Sequence, residues 1–292
     1  MSAERENTLV STEWLAERLG QDNLRIFDCT VFLSVGEDGR YIARAGAEEY
    51  EQSHIPGAAF LDLPRDLTEH RDGVPFMMPA PEKFANKAGA AGLGDAHQIV
   101  LYSSGSVMWA TRMWWMLRSV GFHGAAVLDG GLAQWKAEGR PISHGREYYP
   151  QATFTPHPDP ERWADKDDVL NNIGSSNVCT INALSRENYL GTVERSSYGR
   201  KGRIKGSASV PYSTLMTAEG LFGDKEQLRT AFASIGALEK ERIICYCGGG
   251  ISATMDAMAL QLLGYENVAI YDGSMSEWAQ DESLPMETGE PG

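Results

Sequence analysis

A near-constant internal offset constrains this chain more than any other feature of its sequence. Residues 99–103 and 243–247 are both apolar runs rich in β-branched side chains. Each ends at a loop of glycine or serine and continues as a helix-like pattern. Leu128-Asp129-Gly130-Gly131…Trp135 returns as Tyr271-Asp272-Gly273-Ser274…Trp278. His54-Ile55-Pro56-Gly57-Ala58 returns as Arg203-Ile204-Lys205-Gly206-Ser207. The offset is 144 at Ser103/Cys247 and 143 at Asp129/Asp272 and Trp135/Trp278. One unit repeated once at this spacing is a duplicated domain rather than a solenoid. Strands and helices alternate within each copy, which predicts an α/β fold in which each domain is a mainly parallel sheet flanked by helices. The expected division is a first domain over 1–143, a linker over 144–160 and a second domain over 161–292, and a chain of 292 residues suits two domains.

Within the copies, Ser11 or Thr12 is placed to cap a short helix, and residues 107–120 read as a helix striped with Trp109, Met113, Trp114, Met116 and Leu117. That stripe reads as core packing. Residues 37–47 and 67–78 are polar, charged and glycine-bearing, and read as loops. The tail 282–292 is polar and has no place assigned by pattern.

The two copies differ where chemistry would sit. The second strand-to-helix loop reads Cys247-Gly248-Gly249-Gly250-Ile251-Ser252, so a cysteine stands at the carboxyl end of a strand inside a loop almost without side chains. Ligands of α/β proteins bind at that end of the sheet. Glycine allows the loop to turn its N–H groups inward as an anion nest, and the following helix N-terminus adds partial positive charge. Both stabilise negative charge where Cys247 stands, and a thiolate is a nucleophile. The first copy has Ser103 at that position, in the loop Ser103-Ser104-Gly105-Ser106-Val107, and so lacks the nucleophile. The first domain is then a scaffold and one wall of a pocket between the domains.

The net charge of −14 argues against nucleic acid and against an anionic membrane as partners, and no apolar run is long enough to span a bilayer. Residues 1–8 are polar and carry no signal-peptide core. Cys29, Cys179 and Cys245 lie in strand-like runs and read as buried core residues. Cys245 and Cys247 form C-x-C, which is neither a redox nor a zinc spacing, and no metal or other cofactor is expected. Four cysteines without a disulfide pattern point to a reducing cytoplasm. An acidic protein that handles an anion must gather cations locally. The run Arg186, Arg195, Arg200, Lys201 and Arg203, five cations within residues 186–203, is the candidate, to be weighed against a solvated face.

These motifs, in this order and spacing, resemble the rhodanese family, and in particular its two-domain sulfurtransferases that act on thiosulfate or 3-mercaptopyruvate. The resemblance rests on His54-Ile55-Pro56-Gly57-Ala58, Trp114-Trp115-Met116-Leu117-Arg118, the Asp129 and Asp272 motifs with their tryptophans, and the Cys247 loop. It implies that Cys247 takes a sulfane sulfur from a small anionic donor to form a persulfide and hands it to cyanide or a thiol. The six residues 247–252 match the sulfurtransferase loop length; the related dual-specificity phosphatases carry a longer loop ending in Arg, and no Arg lies in this one. The resemblance also implies substrate contacts: Asn188 stands where mercaptopyruvate enzymes carry an Arg, Arg195 lies near a second such Arg, and Arg186 is close by. Asn182 and Leu184 replace the family's Asp and Arg, and Phe76 falls near the first-domain His of some relatives, leaving His70, Asp62 and Asp72 as neighbours. The loop residues Gly248, Gly249, Gly250, Ile251 and Ser252 are expected to cradle the outer sulfur, with Ser252 as a hydrogen-bond donor or a helix cap. Two further readings remain: a persulfide carrier serving a protein thiol, and a non-catalytic binding module.

Overall fold

The computed structural model describes residues 8–37, 39 and 41–291. The polar N-terminal residues 1–7, positions 38 and 40 of the stretch 37–47, and Gly292 of the tail lie outside the described residues. The duplication is borne out as two sheets of the same build. In the first copy five parallel strands lie in the order Leu9–Val10, Ala125–Leu128, Gln98–Tyr102, Leu24–Asp28, Ala58–Phe60. In the second the order is Trp163–Ala164, Val268–Tyr271, Arg242–Tyr246, Val178–Asn182, Ala208–Ser209. The central strands Gln98–Tyr102 and Arg242–Tyr246 are buried on both faces after their first residue, as continuous apolar runs in parallel sheets require. Ser11 caps the helix Thr12–Ala16 by accepting from the Trp14 N–H, and the helix Met108–Ser119 is buried from Trp109 onward.

Two stretches read as loops are hairpins. Val31–Val35 pairs antiparallel with Tyr41–Ala45, and Glu69–Arg71 with Val74–Met77. The second turns on Asp72 and Gly73, both left-handed with φ of +51° and +83°. An Asp-Gly pair between short extended runs is the turn chemistry for that geometry, and the charges around it obscure the strands. Residues 144–160 are a strap laid along the first domain: Tyr149 Oη donates to Gly57 O at 2.6 Å, and the Glu147 N–H donates to Tyr50 Oη at 3.0 Å. The tail folds onto its own domain, where Met286–Glu287 pairs antiparallel with Arg203–Ile204.

The domains face one another about a pseudo-two-fold axis. The helices Met108–Ser119 and Ala253–Leu262 pack together, and their Thr111 and Thr254 hydroxyls, 143 positions apart in sequence, sit 2.8 Å from each other. Asp129 Oδ1 accepts from the Phe222 N–H across the interface at 2.9 Å, and Asp272 Oδ2 accepts from the Met78 N–H at 2.6 Å. The two aspartates are counterparts in the repeat, so the symmetry of the sequence is also that of the contact.

Beneath this interface Asp256 is fully buried on the helix Ala253–Leu262, with neither carboxyl oxygen hydrogen-bonded by any of the described residues. Burial pushes its carboxyl well above the usual carboxylate range. It therefore keeps in the fold a proton that the unfolded chain releases, so stability is full below the ordinary carboxyl pKa and falls as pH rises above it. Asp256→Asn is expected to match the wild type in urea unfolding near pH 4, then to become the more stable protein by up to about 1.4 kcal/mol for each pH unit above that. Parallel pH profiles for the two proteins would contradict this.

Candidate active site

Cys247 follows the strand Arg242–Tyr246 and lines a cleft of about 850 Å³ between the domains, with only 2% of its surface exposed. The other three cysteines are free and buried, and burial raises each of their thiols above the ordinary range. Cys247 is the cysteine that meets the cleft.

The shape of its loop follows from where the carbonyls go. Cys247 O accepts from the Met275 N–H at 3.1 Å, and Gly248 O accepts from the Ser276 N–H and Oγ at 2.8 Å. Gly250 O accepts from Arg112 Nη1 at 3.1 Å. In a trans peptide the N–H points opposite to the carbonyl. The N–H groups of Gly248, Gly249 and Ile251 are thereby turned away from those partners. Among the described residues no protein group accepts from them or from the Ser252 N–H, and all four residues line the cleft beside Cys247. This is a nest of unpaired donors at the start of a helix.

Gly250 departs from the expected cradle. Its N–H donates to Ser274 Oγ at 3.1 Å and it does not line the cleft. Its φ is +71°, and a Cβ there would meet Asp272 O at 2.8 Å and Arg112 Nη1 at 3.1 Å. It is a glycine because the turn is left-handed and Arg112 passes against it. Ser252 stands at the N-cap position, but its hydroxyl accepts from no helix N–H, so the capping alternative falls away.

Ser274 was not anticipated and organises this turn. Its buried hydroxyl accepts from the Cys247 N–H and the Gly250 N–H, each at 3.1 Å, and donates to Tyr271 O at 2.7 Å. Its φ is +49°, a conformation costly for a residue with a Cβ. The counterpart Gly131 has φ +53°, and a Cβ there would lie 2.4 Å from Ser103 O. A glycine in one copy and a serine in the other, at a left-handed turn, was a legible signal that this serine has a task.

The first domain supplies the facing wall. Phe76, where a His was in question, has φ +64°, and its carbonyl accepts from Arg112 Nη2 at 2.6 Å. Its ring meets Trp109 edge-on at 5.4 Å and reaches to within 3.8 Å of where a Gly249 Cβ would be. His70 and Asp72 line the cleft; Asp62 does not, and instead caps the turn Leu63–Leu67 by accepting from the Arg65 N–H. Tyr198, also unanticipated, lies so close over Gly248 that a Cβ on that glycine would be 2.2 Å from its hydroxyl. Burial raises the Tyr198 phenol well above its ordinary range, with Tyr41 and Cys247 adding to the effect, and its ring packs 5.7 Å from that of Tyr41.

The expected substrate cations are elsewhere. Arg186 pairs with Glu290 on the surface. Asn188 Nδ2 donates to Ser185 Oγ at 3.1 Å. Exposed Arg195 donates to Glu37 O at 3.3 Å. Arg200 binds the carbonyls of Trp278, Ala279 and Leu284, Lys201 binds Glu194 O, and buried Arg203 binds Gly289 O. These cations staple loops and the C-terminal segment, and none of them lines the cleft. Among the described residues no group of three or more His, Cys, Asp or Glu is placed to hold a metal ion, and no helix is long and apolar enough to cross a membrane.

Comparison with known proteins places this geometry. The chain is 32% identical over 290 residues to 3-mercaptopyruvate sulfurtransferase of Mus musculus, covering 96% of this chain and 95% of that one. It is 32% identical over 280 residues to thiosulfate sulfurtransferase of Cricetulus griseus, covering 92% and 91%. The crystal structure of the 3-mercaptopyruvate sulfurtransferase SseA from Escherichia coli superposes with a TM-score of 0.80 at 31% identity, over 91% of this chain and 98% of that one. The family model of the rhodanese-like domain matches residues 11–138 and again 165–281, one match on each sheet. With both halves matched and relatives of this identity along nearly the whole chain, the protein belongs to the rhodanese-like family, as a tandem of two such domains.

Proposed function

We propose that the protein is a sulfurtransferase in which Cys247 takes the outer sulfur of a small anionic donor, thiosulfate or 3-mercaptopyruvate, and passes it to cyanide or a thiol. The carrying observation is that Cys247 opens into the interdomain cleft beside four loop N–H groups for which the described residues supply no acceptor. The Sγ thiolate attacks the donor's outer sulfur. An S–S bond forms, and the bond to the rest of the donor breaks. Sulfite leaves with the electron pair, or the enolate of pyruvate leaves and takes up a proton. The persulfide's outer sulfur then lies against the N–H groups of Gly248, Gly249, Ile251 and Ser252, which stabilise its charge without a side-chain base. Ser274 is a positioning residue that holds both ends of the loop in register.

A protein thiol as acceptor is the second reading. It is favoured by Val35 and Ile42, 61% and 56% exposed on the hairpin whose Leu33, Tyr41 and Ala43 wall the cleft. Four free thiols fit a reducing compartment, and the cytoplasm is the one we infer.

Incubation with thiosulfate or 3-mercaptopyruvate followed by intact mass measurement is expected to show the gain of one sulfur, absent in Cys247→Ala; no gain with either donor would overturn the proposal. Ser274→Gly keeps a residue at ease at positive φ but removes the hydroxyl. It is expected to fold, and to lose about 10- to 100-fold in kcat/KM through misplacement of the nucleophile loop. Arg195→Ala is expected to leave the donor KM within about twofold, because an exposed cation outside the cleft adds little binding energy. A larger rise would restore Arg195 as a substrate contact.

A further inference from the structure

The sulfur-transfer reading accounts for the loop end of the cleft. It does not account for the mouth. Among the described residues lining the cleft there is no Lys or Arg. Beyond Cys247 the lining carries five aromatic side chains, Tyr41, Phe76, Trp109, Tyr198 and Tyr212, among aliphatic ones such as Leu33, Met108 and Leu184. The charged side chain that faces this space is Asp72, held out on the tip of the hairpin by its left-handed turn, with His70 on the same hairpin. Buried Arg112, the nearest guanidinium behind the loop, is committed to Asp272 at 2.7 Å and to two carbonyls.

Aromatic faces attract cations through their quadrupole, and a carboxylate at the rim adds to that attraction. The same surroundings offer an anionic body the nest and neutral donors such as the Ser197, Ser276 and Tyr212 hydroxyls, but no cation. Resting on the sulfur-transfer reading, we propose that the physiological acceptor is a small thiol that carries a positive charge, an aminothiol or onium thiol, whose cationic end sits among Tyr41, Phe76, Tyr198 and Asp72.

The chemistry fits that placement. Displacement at sulfur is in line, so the acceptor's body lies beyond the outer sulfur on the side away from Sγ, which is the mouth. The acceptor thiol passes its proton to the outer sulfur of the persulfide and, as thiolate, attacks that sulfur. A new S–S bond forms, the Sγ–S bond breaks, and its electron pair returns to Sγ as the thiolate. The proton stays on the transferred sulfur, and the acceptor leaves as its own persulfide. Tyr198 keeps its proton, since burial raises its phenol well above the ordinary range.

The test uses the full-length protein loaded with one sulfur from thiosulfate or inorganic polysulfide, verified by intact mass. Single-turnover discharge is timed with 2-aminoethanethiol, 2-mercaptoethanol and mercaptoacetate at fixed ionic strength. Differences in intrinsic thiol reactivity cancel when the aminoethanethiol-to-mercaptoacetate ratio is compared between proteins. That ratio is expected to fall about tenfold in Tyr41→Leu and at least about threefold in Asp72→Asn. A ratio unchanged within about twofold in both variants would overturn the assignment. A second measurement does not depend on sulfur transfer: calorimetric titration of Cys247→Ser with benzyltrimethylammonium. Saturable binding weakened by Tyr41→Leu and by Asp72→Asn supports the cation site, and absence of binding overturns it. Failure of loading together with retained onium binding would overturn the proposed function while supporting the cation site.

Discussion

The buried pair Arg112–Asp272 is the contact on which the rest of the molecule depends. Arg112 Nη1 lies 2.7 Å from Asp272 Oδ1, an ionic approach rather than an aligned hydrogen bond, with the arginine side chain fully buried. The same guanidinium takes the carbonyls of Gly250 and Phe76 and stacks 4.9 Å from the Trp163 ring. The other oxygen of Asp272 takes the Met78 N–H. One ion pair therefore joins the first domain's helix and hairpin to the second domain's Cys247 loop and to the turn after the strand Val268–Tyr271. Two charges taken out of water are tolerated only when each finds several partners, and removing one member would strand the other. Domain docking and site geometry are a single cooperative arrangement for that reason. The left-handed Phe76 persists because Arg112 holds its carbonyl, which is how strain is kept at a working site.

The duplication explains why the site is asymmetric while the frame is not. Asp129 and Asp272 each reach across the interface to a backbone N–H, at Phe222 and Met78, and Thr111 meets Thr254 near the axis. On that common frame, substitutions at counterpart positions separate the copies. Ser103 stands for Cys247, and Gly131 stands for Ser274. In the second copy the serine hydroxyl gathers two loop N–H groups and leaves the others free. In the first, Gly131 packs directly on Ser103 O, and its successor Leu132 donates its N–H to that same oxygen at 3.3 Å. That last bond is common to both copies, since Met275 donates in the same way to Cys247 O; what differs is that Thr30 Oγ1 takes the Ser104 N–H in the first loop, whereas among the described residues no protein group accepts from the counterpart Gly248 N–H.

The repeat, the alternation of strand and helix, the strand ending at Cys247 and the glycine loop were legible in the sequence because each is written in local pattern. The helix read over residues 107–120 lies at Met108–Ser119. The two hairpins were not legible, since charged, glycine-bearing segments satisfy turn patterns as well as edge strands, and only their seat against the cleft decides between the two. Side-chain destinations were the least legible. A cluster of five cations near a nucleophile suggests anion capture, but a guanidinium fits backbone carbonyls as readily as a carboxylate. Here Arg200 and Arg203 bind carbonyls of the C-terminal segment. Tyr198 lay within that same run, and nothing local marks an aromatic that will roof a loop from forty-nine residues before the nucleophile.

What the cations do instead explains how an acidic protein can manage charge on sulfur. A flexible Lys or Arg beside the cleft would hold an anionic donor, but it would also hold sulfite or pyruvate after transfer and would repel a cationic acceptor. Fixed N–H dipoles act over a shorter range. They stabilise charge at the one place where the peptides point, and they need no reorganisation when that charge moves from donor sulfur to persulfide to departing acceptor. The aromatic wall complements this. Tyr41, Tyr198 and Phe76 line the cleft beside the nest and carry no net charge of their own. With carbonyls tied down by Met275, Ser276 and Arg112, the loop keeps its donors aimed whether or not sulfur is present. Specificity is then left to the mouth, where a single carboxylate on a hairpin tip and a set of ring faces decide which molecule approaches Cys247.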